Sequence, residues 1–345
     1  MQDGLQRPSW RQTAGRFRIQ RVLVTGTAGF VGHHLSLRLL QEGREVLGID
    51  NFDPYYDPAL KRARLERLIH ERGFRFHELD LSEGTAFFEL MERFRPDIVV
   101  HLAARAGVRN PSGDLWAYAR PNLDGFVSVL DACRRVRPQL IAYASSSSVY
   151  GVGSPVPYHE DDRSDRPASF YAATKRANEL MAQAFSGLED IPCVGMRFFT
   201  LYGPWGRPDM AYYSFTRDIL AGRPIALHEA EAMRRDFTYI DDAVEAVVRL
   251  LDRGIAARAS FAETRHSLYN IGNARPIGLL DFVNTLERLL EREAPKVHRP
   301  RQPGEVVLTY ADTTRLREAI GFVPSTDIAD GLASFVTWFR HYHAV

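Results

Sequence analysis

This chain of 345 residues contains very little lysine and carries almost no net charge. Lysine and arginine together number 44, yet only three are lysine, so arginine supplies nearly every cation. The formal net charge is +1, and no basic run is followed by aromatic side chains. Because nucleic-acid-binding proteins carry a basic patch or stripe, the sequence argues against that class. We expect a ligand that is recognised by specific contacts rather than by bulk charge.

Cysteine and long apolar runs are also scarce. Cys133 and Cys193 are far apart and neither belongs to a CxxC pair, which argues against a disulfide framework or a metal site and suits a reducing compartment. We expect both to be small core residues. No apolar stretch reaches the roughly 18 residues needed to span a bilayer, and residues 1–20 lack the apolar core of a signal peptide. The sequence predicts a cytoplasmic protein with a flexible basic tail over 1–20.

Short apolar runs alternate with helical patterns from Arg21 onward. The strand-like runs read RVLVTG, EVLGID, FRFHELDL, PDIVVHLAA, QLIAYASS and PCVGMRFF. Because parallel strands need crossovers long enough to hold a helix, this alternation predicts an α/β fold, a doubly wound parallel Rossmann sheet. Proline- and glycine-rich loops and later helices follow. We predict an NAD-binding domain over 21–200, joined by part of 236–272, and a smaller mixed α/β substrate lobe over 201–235 and 273–345.

A glycine-rich turn joins the first predicted strand to the first predicted helix. The segment TGTAGFVG places glycines at 26, 29 and 32, where the backbone can approach a pyrophosphate at the helix N-terminus. Asp50 ends the second strand, where a carboxylate binds adenosine ribose hydroxyls and repels a 2′-phosphate, so NAD is favoured over NADP. The predicted cofactor-binding residues are Gly26, Gly29, Phe30, Val31, Gly32, Asp50, Asn51, Asp80, Leu81, Leu102, Ala103, Ala104, Asn122, Tyr171 and Lys175.

Tyr171 and Lys175 are four residues apart, so on a helix they share one face. Upstream, the fifth predicted strand runs into the hydroxyl row ASSSSVYG at the edge of the sheet where such folds bind ligands. An ammonium beside a tyrosine stabilises its phenolate and makes it a usable base near neutral pH. A lysine can also reach a ribose hydroxyl, whereas a planar guanidinium would direct its protons differently.

These motifs resemble those of the extended short-chain dehydrogenase/reductases, specifically the nucleotide-sugar epimerases. The resemblance rests on TGTAGFVG, HLAA, SSSSVYG, YAATK and RDFTYIDD. The segments NFDPYYDPALKRARLERL, AGVR, LYGPWGRPDMA and QPGEVVLTYAD are most similar to UDP-glucuronate 4-epimerases. The resemblance implies a homodimer that oxidises and re-reduces the sugar C4 with tightly bound NAD. Tyr171 would be the base, Lys175 its activator, and either Ser146 or Ser148 the hydroxyl that binds the sugar O4.

A uronate substrate also needs a hold on its carboxylate, because the 4-keto intermediate is a β-keto acid that loses carbon dioxide easily. The resemblance assigns this hold to Thr200 and Arg207, and a phosphate contact to Arg235, for which a salt bridge to Asp236 is the structural alternative. Leu227 stands where the family often has the phenylalanine that stacks on uracil. The predicted substrate-binding residues are Arg109, Ser146, Ser148, Thr200, Arg207, Met210, Arg235, Gln302 and Glu305.

Three alternatives stay open at this point. UDP-glucuronate decarboxylases and sugar 4,6-dehydratases begin with the same oxidation, but they carry an acidic residue where this chain has Ser148. An epimerase for neutral UDP-hexoses is disfavoured by Thr200 and Arg207. A non-catalytic NAD-binding sensor on the same fold would often lack the tyrosine or the lysine, and this chain has both.

Overall fold

The computed structural model describes residues 20–108, 113–257, 265–300 and 306–345. The strands are β1 Arg21–Thr25, β2 Glu45–Asp50, β3 Phe74–Glu78, β4 Ile98–His101, β5 Leu140–Ser146, β6 Cys193–Phe198, β7 Thr200–Tyr202, β8 Ile225–His228, β9 Arg234–Tyr239, β10 His266–Ile271, β11 Pro276–Gly278 and β12 Lys296–Arg299. The α-helices are α1 Phe30–Gln41, α2 Pro58–Ile69, α3 Gly84–Phe94, α4 Trp116–Ala119, α5 Gly125–Val136, α6 Phe170–Glu189, α7 Ala211–Leu220, α8 Ile240–Ala257, α9 Leu279–Leu290, α10 Thr314–Ile320 and α11 Ile328–His343.

Seven strands form one parallel sheet in the order β10-β6-β5-β4-β1-β2-β3. Strand order reverses between β1 and β4, which opens a crevice at the carboxyl ends of the strands. The Rossmann prediction is therefore confirmed. None of the helices in the described ranges is long and apolar enough to cross a membrane.

Both faces of this sheet are buried, which explains why its strands read as continuous apolar runs. Successive side chains of a strand point to opposite faces, so Val22 and Val24 pack in one cluster with α1 and α8 while Leu23 packs in the other with α3 and α5. Cys133 and Cys193 are free and buried in the second cluster, as predicted.

A smaller set of elements covers the carboxyl edge of the main sheet. It contains a three-stranded sheet in the order β11-β9-β7 and a pair of parallel strands, β8 and β12. The amphipathic helices α9 and α11 bury an aromatic-rich core that includes Tyr202, Tyr212, Phe282 and Phe335. Between these elements the chain returns to the main sheet, where α8 packs in its core and β10 forms its edge.

Candidate active site

A cavity of about 950 Å³ lies between the carboxyl edge of the seven-stranded sheet and the smaller lobe. Its walls come from the glycine turn, the ends of β2, β4 and β5, the start of α6, and the loops around β7 and β9. Twenty sequence-predicted site residues line it: Gly26, Gly29, Phe30, Val31, Gly32, Asp50, Asn51, Asp80, Leu81, Leu102, Ala103, Ala104, Ser146, Ser148, Tyr171, Lys175, Thr200, Arg207, Met210 and Arg235.

The glycine turn packs too tightly for any side chain. Gly26 has a φ of +71°, and a Cβ there would lie 2.7 Å from the backbone nitrogen of Ala103. A Cβ on Gly32 would lie 2.1 Å from the carbonyl oxygen of Gly26. This packing leaves the N-terminus of α1 open to the cavity, where its partial positive charge suits a pyrophosphate. The turn therefore fits the phosphates of a dinucleotide.

Asp50 is buried at the end of β2, and its two carboxylate oxygens accept the backbone N–H groups of Ala28 and Phe52 at 3.1 and 2.9 Å. Burial raises the pKa of Asp50, while the charge of Lys61 and these bonds oppose the rise. The Lys61 ammonium lies 3.9 Å from Asp50 Oδ1 and donates to the carbonyl of Asp53 at 2.9 Å. Sequence reasoning missed Lys61, although the rarity of lysine could have singled it out.

The buried side chain of Asn122 lies behind the cavity wall, next to Arg105 and Lys175 on that wall. Its carbonyl oxygen accepts the backbone N–H of Arg105 at 2.8 Å, and its amide donates to the Arg105 carbonyl and to the Thr174 hydroxyl. The side chain is thus fully engaged within the protein. Asn122 thereby holds the loop after β4 against helix α6, and its role in binding the cofactor stays a prediction.

Helix α6 presents the predicted tyrosine–lysine pair. Ser169 caps the helix by accepting the N–H of Ala172 at 3.1 Å, so Tyr171 enters the first turn and Lys175 follows on the same face. The buried Lys175 ammonium donates to the carbonyl of Ala144 at 2.9 Å. Burial lowers the pKa of Lys175 to about 8, although the charge of Glu179 opposes the shift.

The surroundings of Tyr171 differ from the expected pattern. Burial raises the pKa of Tyr171, and the groups that oppose this rise are the Ser146 hydroxyl and the charge of Arg207. The Lys175 ammonium is instead directed at strand β5, because a buried charge requires a hydrogen-bond acceptor. Arg207 is therefore both a predicted carboxylate contact and a cation that favours the Tyr171 phenolate.

The hydroxyl row forms a single 3₁₀ turn, Ser147–Tyr150, directly after β5. Ser148 donates its hydroxyl to Ser146 Oγ at 2.9 Å, and the Ser146 hydroxyl is close enough to Tyr171 to oppose the rise in its pKa. Of the two serines that the sequence left open, Ser146 is thus the one next to the tyrosine. The side chain of Ser145 points the other way and donates to Glu179 at 2.6 Å.

Arg207 does not stand alone in the cavity wall. Its Nε and Nη2 donate to the two carboxylate oxygens of Asp209 at 3.0 and 2.5 Å, and the Tyr55 hydroxyl donates to Asp209 Oδ2 at 3.3 Å. The Arg105 guanidinium carbon lies 4.9 Å from the ring centre of Tyr55 and 5.6 Å from that of Tyr118. Sequence reasoning missed Tyr55, Arg105 and Asp209, because their importance depends on contacts between loops that are distant in the chain.

Arg235 lines the opposite part of the cavity, where its Nη1 donates to the carbonyls of Arg234 and Val307 at 2.9 and 3.0 Å. The carboxylate of Asp236 is fully buried and accepts three backbone N–H groups from residues 273, 274 and 311. Asp236 is therefore committed to holding these loops together. Arg235 faces the cavity with a cation that suits a phosphate.

Leu227, which stands where the family often has a stacking phenylalanine, does not face the cavity. Leu227 is fully buried in the core of the smaller lobe, while its neighbours Ala226 and His228 line the cavity. The reason is the alternation of side chains along β8. His228 therefore occupies the cavity side of this strand.

Three predicted substrate residues, Arg109, Gln302 and Glu305, lie outside the described residues, as does most of the predicted tail. Within the described part of the chain, no group of three histidine, cysteine, aspartate or glutamate side chains could hold a metal ion. His33 is buried within the fold, and His34 hydrogen-bonds the carbonyl of Pro204 at 3.0 Å, so both are structural.

One cavity at the edge of a parallel dinucleotide-binding sheet brings together the glycine turn, a buried carboxylate and the tyrosine–lysine pair. This arrangement defines a nucleotide-cofactor-dependent enzyme of the short-chain dehydrogenase/reductase type. The model of the NAD dependent epimerase/dehydratase family matches residues 22–272. The chain therefore belongs to that family.

Several similar proteins have names that state an activity or a ligand. UDP-glucuronate 4-epimerase 3 of Arabidopsis thaliana is 42% identical over 352 residues, covering 97% of this chain and 81% of that protein. The crystal structure of UDP-glucuronic acid 4-epimerase from Bacillus cereus in complex with UDP-glucuronic acid and NAD aligns with a TM-score of 0.85 at 30% identity, covering 94% of this chain and 100% of that one. MoeE5 in complex with UDP-glucuronic acid and NAD aligns with a TM-score of 0.79 at 31% identity, covering 93% and 99%.

Proposed function

We infer that this protein is an NAD-dependent epimerase that interconverts UDP-glucuronate and UDP-galacturonate. The observation that carries this inference is that Arg207 shares one cavity with the pair formed by Tyr171 and Ser146. A cation at that place suits a sugar that carries a carboxylate beside the reacting C4. The similar proteins whose names state this activity support the same reaction.

The glycine turn, Asp50 and the end of β4 fit NAD, which when bound supplies the acceptor and donor of the C4 hydride. Tyr171 as phenolate removes the proton of the sugar 4-hydroxyl, and Ser146 hydrogen-bonds the same oxygen. The resulting 4-keto sugar turns about its diphosphate linkage and presents its other face. As the hydride returns to C4, Tyr171 gives its proton back to the C4 oxygen to form the new 4-hydroxyl, so neither protons nor electrons are gained or lost overall.

The remaining polar groups of the cavity orient the substrate. Thr200 and Arg207 hold the carboxylate, and Arg235 binds the diphosphate so that the sugar can turn while the nucleotide stays in place. We place the uracil ring of the substrate in the part of the cavity lined by His228. In this assignment residues 21–200, with part of 236–272, form the NAD-binding domain, and 201–235 with 273–345 form the substrate lobe.

One incubation separates this activity from its alternatives. UDP-glucuronate is incubated with the protein, and the product is analysed by chromatography and mass spectrometry. A product of unchanged mass at the retention time of UDP-galacturonate supports epimerisation, whereas loss of carbon dioxide would identify a decarboxylase. Faster turnover of UDP-glucose than of UDP-glucuronate would point to an epimerase for neutral UDP-hexoses. No turnover of any UDP-sugar by a protein with bound NAD would identify a sensor.

The working form is proposed to be a homodimer built on the helices beside the active site. Five large apolar side chains on α4, α5 and α6 are exposed to solvent: Trp116, Val127, Phe170, Leu180 and Leu188. Leu188 is 84% exposed and Trp116 is 67% exposed, which is unfavourable unless a second copy covers them. Light scattering of the wild type and of a Val127→Glu/Leu180→Glu variant tests this. A monomeric wild type at micromolar concentration would end the dimer proposal.

A cytoplasmic location is proposed from the two buried thiols of Cys133 and Cys193, which are both free. Cell fractionation with an antibody against the chain tests it, and recovery in the oxidising extracellular fraction would contradict it.

A further inference from the structure

We propose that Asp209, held in place by Tyr55, is the positioning residue that fixes the plane of the Arg207 guanidinium and so suppresses decarboxylation of the 4-keto intermediate. This inference rests on the proposed function, because it concerns how the same cavity treats a uronate. Neither Tyr55 nor Asp209 is assigned to bind substrate.

The contact between Asp209 and Arg207 has a defined geometry. Asp209 accepts from Nε and Nη2 of Arg207, which form one edge of the guanidinium fork. A guanidinium has five N–H donors in one plane, so three remain, and the edge formed by Nη1 and Nη2 can still bind a second carboxylate through two parallel bonds. Asp209 thereby sets the plane in which that second carboxylate would lie.

Tyr55 holds Asp209 from the loop after β2. Its hydroxyl donates to Asp209 Oδ2 at 3.3 Å, and its ring lies 5.9 Å from the guanidinium carbon of Arg207. The hydroxyl is packed against Gly107, which has a φ of +110° and where an added Cβ would come within 2.8 Å of it. Tyr55 thus contacts both the carboxylate and the cation of the pair, and the loop after β4 limits where its hydroxyl can lie.

The negative charge of Asp209 argues against a role in attracting the uronate to Arg207. A carboxylate beside Arg207 offsets part of the positive charge that would draw in a uronate. The two side chains are only 21% and 29% exposed, so solvent screens the pair incompletely. A group that weakens attraction but constrains orientation is expected where the angle of the bound carboxylate matters more than its affinity.

Orientation matters because the intermediate is a β-keto acid. When the C5–C6 bond lies perpendicular to the C4 ketone plane, that bond breaks, carbon dioxide leaves, and its electron pair forms an enolate with the C4 oxygen. A proton from water then adds at C5, and the ketone is reduced by the hydride removed earlier together with the proton held by Tyr171, which yields a UDP-pentose. A guanidinium free to rotate would allow that alignment, whereas a fixed one keeps the carboxylate away from it.

The test measures how each turnover is partitioned. Purified holoenzyme is incubated with UDP-glucuronate, and the ratio of UDP-pentose to UDP-galacturonate is measured by chromatography and mass spectrometry. Asp209→Asn should raise this ratio about tenfold, as expected for loss of one charge-assisted hydrogen bond. Tyr55→Phe, which removes only the hydroxyl, should raise it about threefold. The affinity for UDP-glucuronate, measured by calorimetry, should change by less than about threefold in either variant.

Two control variants are matched to these changes. Asp252→Asn removes the carboxylate of another Asp–Arg pair, 2.6 Å from Arg44, and Tyr213→Phe removes a hydroxyl bonded to His343 at 2.7 Å. Both lie outside the cavity and should keep the wild-type ratio. If Asp209→Asn fails to fold, Tyr55→Phe decides the question.

An unchanged product ratio in a wild-type-like fold, or lost affinity with an unchanged ratio, would overturn the positioning role. If the wild type makes no UDP-galacturonate at all, the proposed function fails and this inference with it. The two failures are therefore distinguishable from the wild-type reaction alone.

Discussion

The ammonium nitrogen of Lys175 lies 2.9 Å from the carbonyl oxygen of Ala144, two residues before Ser146 at the end of the same strand. This bond ties the helix that carries Tyr171 to the strand that carries the neighbouring hydroxyl. A lysine ammonium has three rotatable donors, so two remain for other partners in the cavity. The relationship suggests why this position uses one of the three lysines in a chain that otherwise relies on arginine.

Lys175→Arg should therefore keep the positive charge and the fold but lose most of the activity. The planar fork of arginine is longer and cannot point one donor at Ala144 and the others into the cavity. We expect kcat to fall about 100-fold or more, because general acid–base catalysis contributes a rate enhancement of that size. Lys296→Arg is the matched control, because this lysine bonds Glu287 at 2.7 Å outside the cavity. Near wild-type activity in Lys175→Arg would mean that only the charge matters.

Tyr171→Phe should retain NAD and the fold but lose turnover, because the phenol supplies the base and the ring fills the same space. NAD content after purification and turnover of UDP-glucuronate are the two measurements. Tyr213→Phe provides the comparison for loss of a hydroxyl elsewhere. An active Tyr171→Phe would refute the assigned base.

The activity should fall as the pH rises through about 8. Burial lowers the pKa of Lys175 to about 8, so its ammonium is present below that pH and is lost above it. The stability effect has the opposite sign: between about 8 and the ordinary value of 10.5 the unfolded chain binds more protons, so this group makes the folded protein more stable as the pH rises. A pH profile of kcat/KM and urea unfolding at several pH values measure the two effects. If the fall in kcat/KM at high pH is unchanged in Lys175→Arg, a group other than Lys175 causes that fall.

Asp50→Asn should weaken the binding of NAD and lower the ratio of the affinity for NAD to the affinity for NADP. The neutral amide no longer repels a 2′-phosphate, and the Lys61 ammonium beside it supplies an attractive charge. We expect about a tenfold loss of NAD affinity, as for a lost charge-assisted hydrogen bond. Calorimetric titration with both cofactors measures it. Adding Lys61→Met should remove the gain toward NADP, and persistence of that gain would exclude Lys61 as its source.

Glu179→Gln should destabilise the fold by about 3–5 kcal/mol at neutral pH, because it leaves a buried arginine without its charge partner. Arg197 donates to both carboxylate oxygens of Glu179 at 2.8 and 2.9 Å, and both side chains are 1% exposed. Burial alone would raise the pKa of Glu179, but the bonds from Arg197 outweigh it and hold the pKa below its usual range. The stabilisation is therefore present at neutral pH and disappears as the pH falls through this lowered pKa.

Urea unfolding measures this loss of stability. The exposed pair of Glu89 and Arg93 is the control, since Glu89→Gln should change the free energy of unfolding by less than about 1 kcal/mol. If both substitutions lowered the free energy of unfolding equally, the buried pair would stabilise the fold no more than the exposed pair.

Much of the fold could be predicted from the sequence because its signals are local. Apolar runs such as those of β1 and β2 reveal strands buried on both faces, and the glycines at 26, 29 and 32 mark a turn that no other residue could form. The spacing of Tyr171 and Lys175 likewise depends only on the period of one helix. These local features were enough to predict the Rossmann fold and the kind of chemistry.

The sequence by itself therefore determined the parallel sheet, the dinucleotide turn and the tyrosine–lysine pair, since each follows from residues close together in the chain. Only the tertiary structure decided that Ser146 rather than Ser148 adjoins Tyr171, that His228 rather than Leu227 faces the cavity, and that Asn122 supports the wall. It also brought Tyr55 to Asp209 across 154 positions of the chain. Such contacts depend on how loops from separate strands pack against one another, and no local periodicity encodes that packing.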